Sequence, residues 1–135
     1  MLGAGDSAVL DRVADELFDG EIQPALVREF LGDARHHLAV AIDDGIVVGF
    51  ASGVHYVHPD KPAELWINEV GVAPTHLRRG IAQSLLRMLF DAGRAVGCGQ
   101  AWVLTDRGNT AAMRLYASVG GDPGTHDHVM FDFRL

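Results

Sequence analysis

Residues 70–82 read VGVAPTHLRRGIA, the most informative stretch of the chain. The pattern predicts a strand, a short loop and a long helix whose first turn holds the small residues Gly80 and Ala82. The first backbone N–H groups of a helix have no partner within it, and they lie at the positive end of the helix dipole. Small residues let an anion approach these groups, and Arg78 and Arg79 can add charge-assisted hydrogen bonds. The stretch therefore predicts a phosphate-binding site.

This phosphate-binding pattern differs from two common ones. It lacks the three spaced glycines of a Rossmann fingerprint and the Gly-Lys-Ser or Gly-Lys-Thr of a Walker loop. The helix that it opens is predicted over 80–95, because apolar residues recur there at helical spacing and Gly97 and Gly99 follow its end.

Two helices and three strands are predicted upstream of this stretch. They cover residues 9–18, 24–32, 38–42, 46–54 and 64–72. Asp6-Ser7 can cap the first helix, and Pro24 suits the first turn of the second. The turn sequence Asp43-Asp44-Gly45 lies between the first two strands and predicts an antiparallel hairpin.

Downstream, the pattern predicts a strand over 100–104, a helix that Asn109 caps and Gly120 ends, and a final strand over 128–135. Strands that alternate with helices are typical of an α/β domain. We therefore expect one domain over residues 1–135, with a mixed central sheet flanked by about four helices.

The 135 residues carry a net charge of −7, and this charge is unevenly divided. Residues 1–69 hold 13 acidic and four basic side chains, whereas residues 70–135 hold five acidic and seven basic ones. An acidic half disfavours nucleic acid and anionic membranes and favours a cationic partner. The arginines of the other half can serve a phosphorylated ligand.

Neither a membrane span nor a disulfide is expected. The longest apolar stretch, 45–54, is far shorter than the roughly 20 residues of a membrane-spanning helix. The N-terminus lacks the basic stretch and apolar core of a signal peptide, and the single cysteine, Cys98, cannot form an intrachain bridge. The sequence therefore predicts a soluble, cytoplasmic protein.

Two motifs resemble those of the GNAT superfamily of acetyl-CoA-dependent N-acetyltransferases. They are RRGIA at 78–82 and, further along, N-x-x-A-x-x-L-Y-x-x-x-G at 109–120. The resemblance covers most of the chain. It implies that backbone N–H groups of 77–82 hold the pyrophosphate of acetyl-CoA, while the backbone of 70–72 pairs with its pantetheine arm. The implied cofactor contacts are Val70, Gly71, Val72, Leu77, Arg78, Arg79, Gly80, Ile81, Ala82, Asn109, Ala112 and Tyr116.

Two features depart from the family pattern. Leu77 stands where the family usually has Arg or Gln, three residues before the loop glycine. Because the phosphate is held mainly by backbone groups, we expect the site to survive this change. The N-terminus is also short, so we expect the family's usual first strand to be short or absent.

Within this superfamily, the chain resembles the aminoglycoside 3-N-acetyltransferases of the gentamicin and fortimicin type. This narrower resemblance rests on residues 16–18, 64–72, 105–109 and 129–132. It implies that Glu69 is the base that accepts a proton from the substrate ammonium, and that Tyr116 protonates the departing thiolate. The implied acceptor contacts are Glu64, Glu69, Asp106 and Asp127.

Other interpretations stay open. The acceptor could instead be a polyamine, an amino acid derivative or a protein amine, and a CoA-binding module without turnover would also fit the motifs. Glu69 could be an ordinary exposed strand carboxylate, and Tyr116 could serve packing alone. No metal is predicted, because neither His55-x-x-His58 nor His126-Asp127-His128 has the companion ligands of a zinc site. A homodimer through the C-terminal strand also stays open.

Overall fold

A four-stranded mixed sheet lies at the centre of the larger of two packing units. The computed structural model describes residues 1–125 and 130–134, and it divides into the units Met1–Leu104 and Thr105–Leu135. The first unit contains, in order across the sheet, β1 (His36–Asp43), β2 (Ile46–Tyr56), β3 (Glu64–Val72) and β4 (Gln100–Trp102). The first three strands pair antiparallel, whereas β4 is parallel to β3. The predicted α/β class with a mixed sheet is confirmed.

The hairpin between β1 and β2 follows from its turn. Asp44 and Gly45 have positive φ angles of 48° and 72°, as a two-residue turn between right-twisted strands requires. β1 and β2 are each slightly longer than predicted, and β3 has the predicted bounds.

Two helices, α1 and α2, cover opposite faces of the sheet: Pro24–Gly32 and Ile81–Ala95. Leu31 of α1 belongs to the same buried cluster as Phe50 of β2. A Cβ at the adjacent Gly49 would lie 2.9 Å from the side chain of Ile81 in α2. Because successive strand residues point to opposite faces, the two helices lie on the two sides of β2.

The predicted helix over 9–18 is wrong. Only a short 3₁₀ helix, Ser7–Asp11, forms there, and the chain then runs beside β2. Ala14 N donates a 2.9 Å hydrogen bond to the carbonyl oxygen of Val47. This N–H group therefore bonds to the sheet instead of to a carbonyl one turn back in a helix. Leu17 is nevertheless buried in the core, as the apolar pattern requires. The described residues thus contain three α-helices, one fewer than the expected number.

The N-terminus contributes a single bridge to the sheet, from Leu2 to Leu38, instead of a full strand. None of the helices in the described part of the chain combines the length and the apolar character that crossing a membrane would need.

The second unit contains helix α3, Thr110–Ser118. Asn109 caps it as predicted, because its side-chain oxygen accepts a 3.0 Å hydrogen bond from Ala112 N. The predicted final strand over 128–135 is wrong for residues 130–134, which have no regular secondary structure, and its remaining residues lie outside the described chain. Phe131 and Phe133 are largely exposed there. An alternating apolar pattern does not form a strand when its apolar side chains have no surface to pack against.

Candidate active site

β3 and β4 separate part-way along the sheet. Their parallel pairing runs only from Glu64 with Gln100 to Trp66 with Trp102. Within the described part of the first unit, Ile67 and residues 69–72 of β3 therefore pair with β2 alone. Backbone groups on the other side of β3 are free to pair with an extended ligand, as with an added strand.

A bulge interrupts β3 close to this separation. Ser52 and Gly53 are adjacent in β2, but they pair with Glu69 and Ile67, so Asn68 is an extra residue in β3. An extra residue of this kind changes the face to which the following side chains point.

The bulge places Glu69 on the same face of the sheet as Trp66. Side chains three positions apart in a regular strand point to opposite faces. Here Glu69 pairs with Ser52 and Trp66 pairs with Val54, and these two partners are alternate residues of β2 that share a face. The carboxylate and the indole therefore project to the same side.

Glu69 presents an exposed carboxylate at the bulge. Among the basic side chains of residues 1–125 and 130–134, none forms an ion pair with it. Its pairing partner Ser52 has a buried hydroxyl that lacks a hydrogen-bond partner within the same residues. An unpaired carboxylate beside an unsatisfied hydroxyl can accept a proton, directly or through a water molecule.

The loop between β3 and α2 leaves a helix N-terminus open. Gly80 precedes α2 with a φ of 77°, a left-handed conformation that suits glycine, and Arg78 also has a positive φ, 59°. The N-cap residue of α2, Gly80, makes no side-chain cap hydrogen bond, so the first backbone N–H groups of α2 can meet an anion. Leu77, Arg78 and Arg79 are all exposed beside them. This geometry suits a phosphate group.

His76 connects this loop to the turn between β1 and β2. Its Nε2 lies 2.9 Å from Asp43 Oδ2, and its Nδ1 lies 2.8 Å from Thr75 Oγ1. The hydrogen bond with His76 lowers the pKa of Asp43. Arg79 Nη2 adds a 3.0 Å hydrogen bond to the carbonyl oxygen of Thr75. Side chains that no sequence motif indicates therefore hold the loop in shape.

Glu64, a predicted acceptor contact, has a carboxylate that is already paired. Lys61 forms an ion pair with Oε1, and the Tyr56 hydroxyl donates a 2.9 Å hydrogen bond to Oε2. The hydrogen bonds from Lys61 and then Tyr56 lower the pKa of Glu64. The charge of Glu64 is thus satisfied within the fold.

An acidic groove of about 440 Å³ lies in the N-terminal segment of the first unit. Four carboxylates belong to its lining: Asp11, Asp15, Glu16 and Glu21. Leu17 lines it as well, and the Leu17 carbonyl oxygen would lie 3.0 Å from a Cβ at Gly71 of β3. One residue of the groove lining thus lies against the strand that carries Glu69.

The second unit holds the other predicted contacts. Tyr116 is half-buried on α3, and burial raises the pKa of its phenol, which therefore stays protonated at neutral pH. Asp106 accepts a hydrogen bond from Gly108 N, and Asn109 caps α3, so both have a local structural role. Asp127 lies outside the described residues.

Two of the histidines in the first unit pair with each other. His37 Nε2 lies 2.8 Å from His55 Nδ1, and burial lowers the pKa of His37. Across residues 1–125 and 130–134, no group of three or more His, Cys, Asp and Glu side chains is arranged to hold a metal ion.

The structure brings together only some of the predicted residues. Glu69, the free edge of 70–72 and the loop 77–82 follow one another along β3 and into α2. Sequence reasoning missed the Asn68 bulge, the His76 contacts and the pairing of Trp66 with a second tryptophan. These features depend on strand register and on contacts between distant residues, for which short motifs give no signal.

The match of the chain to known families agrees with this geometry. Residues 8–120 match the profile of the acetyltransferase (GNAT) family. The chain belongs to this family. GNAT acetyltransferases use acetyl-CoA as the acetyl donor, and the open strand edge and helix N-terminus suit its extended arm and its phosphates.

One protein that is similar in sequence and two solved structures that are similar in fold are compared with this GNAT chain. The N-alpha-acetyltransferase RimI of Mycobacterium tuberculosis is 36% identical over 124 residues, which cover 88% of this chain and 76% of RimI. An aminoglycoside acetyltransferase from an uncultured soil metagenomic sample has a TM-score of 0.74 at 25% identity, covering 86% of this chain and 76% of that one. AAC(6')-Iy, solved with a CoA-containing bisubstrate analogue, has a TM-score of 0.80 at 20% identity, covering 99% and 95%. This last likeness shows the shared fold alone.

Proposed function

We propose that this protein transfers the acetyl group of acetyl-CoA to an amine of an aminoglycoside, by direct attack of the amine on the thioester. The observation that carries the proposal is the unpaired carboxylate of Glu69 beside the free edge of β3. A primary amine is mostly protonated at neutral pH and becomes a nucleophile only when a base removes its proton. Glu69 is that base.

The donor is held mainly by the backbone. The open N-terminus of α2, with the loop 77–82, binds the pyrophosphate, and Arg78 and Arg79 add positive charge. The free edge of β3 at 70–72 pairs with the pantetheine arm.

The transfer then needs a base for the acceptor ammonium and a proton donor for the departing thiolate. Glu69 takes a proton from the acceptor ammonium, directly or through a water molecule. The amine nitrogen attacks the thioester carbon, and backbone N–H groups near 70–72 stabilise the negative charge on the carbonyl oxygen. The C–S bond breaks, the hydroxyl of Tyr116 protonates the departing thiolate, and the acylated nitrogen gives its remaining extra proton to the phenolate so formed. The products are an amide and free CoA.

The charge distribution supports a polycationic acceptor. Residues 1–69 hold 13 acidic side chains against four basic ones, and four of those carboxylates line one groove in the N-terminal segment. Such a field attracts a multiply charged amine more strongly than a single ammonium. The similar aminoglycoside acetyltransferase from the soil sample supports this substrate class.

A protein N-terminal amine is the second candidate acceptor. It is favoured by the 36% identity with RimI, an N-alpha-acetyltransferase. A polyamine or an amino acid derivative would keep the same chemistry, whereas a CoA-binding module without turnover would leave Glu69 without a role.

The amine that we propose is the one at position 3 of the aminoglycoside. This assignment rests on the resemblance of residues 64–72 and 105–109 to the 3-N-acetyltransferases. NMR of acetylated sisomicin would identify the modified nitrogen, and acetylation at any other position would overturn the assignment. A homodimer and a cytoplasmic location are further predictions from the sequence.

A side-by-side comparison of acceptors tests the proposed function. We expect kcat/KM for sisomicin to exceed that for spermidine and for a peptide with a free N-terminus by at least about tenfold. A preference for the peptide would favour the second candidate. If CoA binds and no amine releases its thiol, the protein is a binding module.

A further inference from the structure

The chain's two tryptophans form a stacked pair on the sheet. Trp66 of β3 and Trp102 of β4 are register partners, and their rings are parallel to within 2° at a centroid distance of 5.3 Å. The parallel pairing of β3 with β4 therefore joins two large apolar surfaces that are distant in sequence.

Hydrogen bonds hold this pair in place. Trp102 Nε1–H donates to Tyr56 Oη at 2.8 Å, and the Tyr56 hydroxyl donates to Glu64 Oε2 at 2.9 Å. Lys61 pairs with the other oxygen of Glu64. A chain of bonds of this kind fixes the orientation of Trp102 and hence the position of the ring stacked on it. The carboxylate beside the indoles is already paired, so it offers no free negative charge to a ligand there.

Trp66 lies close to the candidate base because of the bulge at Asn68. Trp66 and Glu69 project to one face, and their partners Val54 and Ser52 are two residues apart along β2. Two residues of a strand correspond to about 7 Å. An acceptor with its amine at Glu69 would thus meet the indole about 7 Å from that amine.

Trp66 also keeps a large accessible surface. Its exposed fraction is 37%, although Trp102 covers part of the ring. A tryptophan supplies a wide, rigid apolar surface at a small cost in conformational entropy, and such residues dominate the energetics of binding sites.

We infer that Trp66 binds the carbon skeleton of the acceptor while Glu69 receives its reacting amine. The inference rests on the proposed function and narrows the acceptor class to amines that carry a ring about 7 Å from the reacting nitrogen, as linked amino sugars do. The C–H groups of that ring pack on the indole and leave water. Trp66 is therefore a specificity-determining contact, and short amines gain nothing from it.

Steady-state kinetics with two acceptors test this inference. For Trp66→Ala we expect the KM for sisomicin to rise about tenfold while kcat changes by less than about threefold. With methylamine, which cannot reach the indole, kcat/KM should stay at the wild-type value. Met88→Ala is the matched control, because Met88 is also 37% exposed but lies on α2, and it should leave both acceptors unaffected. Trp66→Leu keeps apolar bulk and should give an intermediate KM if the alanine variant folds poorly.

Tryptophan fluorescence gives a readout that does not need turnover. Because Trp66 and Trp102 are the only tryptophans, saturable quenching by sisomicin reports binding at this pair. If the wild type acetylates both amines but Trp66→Ala treats sisomicin as the wild type does, the inference is wrong and the proposed function stands. An equal loss with sisomicin and methylamine would also overturn the inference. If no amine is acetylated and sisomicin still quenches the fluorescence, the proposed function fails while the binding role of Trp66 is supported.

Discussion

The proposed donor side and the proposed acceptor side of this protein are built from different parts of the polypeptide. On the donor side the groups offered are mostly backbone ones: the free edge of β3 and the uncapped N-terminus of α2. On the acceptor side they are side chains, namely Glu69, Trp66 and the carboxylates of the groove. We expect a backbone site to tolerate changes such as Leu77 in place of the usual Arg or Gln, whereas a side-chain site changes with each substitution. The donor is therefore easier to infer than the acceptor.

The largest effect is expected at Glu69, on the acceptor side. Glu69→Gln keeps the shape of the side chain but cannot take a proton at neutral pH, so kcat should fall by about 100-fold or more. The KM for acetyl-CoA should change by less than about twofold, because the donor is held elsewhere. Initial rates of thiol release measure both values. An unchanged kcat would remove Glu69 from the mechanism.

A smaller loss of turnover is expected at Tyr116. Tyr116→Phe removes the hydroxyl that protonates the thiolate, for which water can substitute, so we expect kcat to fall about tenfold. Burial raises the pKa of this phenol above its usual value of roughly 10, so the acidic form persists throughout the neutral range. A pH profile of kcat should accordingly show no decline due to Tyr116 below about pH 10. Full activity of Tyr116→Phe would contradict the role as general acid.

Alanine substitutions at two glycines near the ends of α2 test where acetyl-CoA binds. Gly80 and Gly97 have φ angles of 77° and 83°, so alanine at either position should lower the free energy of unfolding by about 1 kcal/mol. Only Gly80 lies at the phosphate loop, and Gly80→Ala should raise the KM for acetyl-CoA about fivefold with little change in the KM for the amine. Gly97→Ala is the matched control for strain. Equal KM values in the two variants would place the donor elsewhere.

The smallest effect is expected from the side chains that shape the donor loop. His76→Gln loses the contact with Asp43, and we expect the KM for acetyl-CoA to rise about twofold to threefold. Asp91→Asn, which breaks an exposed ion pair with Arg94 on α2, serves as the control and should leave this KM unchanged. A wild-type KM in His76→Gln would show that the backbone alone sets the loop.

Local signals in the sequence predict most of the fold. Pro24 marks the start of α1, Asp44-Gly45 fixes the hairpin turn and Asn109 caps α3, since each acts through its own backbone or that of near neighbours. The segment 9–18 has a helical spacing of apolar residues, but its backbone bonds to Val47 of the sheet, and no local pattern reveals that competition.

The candidate site likewise has a part that the local sequence predicts and a part that it does not. The loop proposed to bind phosphate can be located from the sequence because its residues lie within one continuous stretch, 70–82. The shared face of Trp66 and Glu69 depends on one extra residue in β3, and the paired charge of Glu64 depends on Lys61 and Tyr56. Strand register and side-chain pairing are tertiary properties, so these parts of the acceptor side required the structure.

The central claim is that this GNAT chain uses Glu69 to activate an amine that then takes the acetyl group. The most direct measurement follows thiol release and product mass together, for wild type and Glu69→Gln, with saturating acetyl-CoA and sisomicin. We predict that the wild type releases one thiol for each acetyl group found on sisomicin, and that Glu69→Gln binds CoA normally but releases almost none. Equal rates of release from both proteins, or release without acetylated sisomicin, would contradict the account.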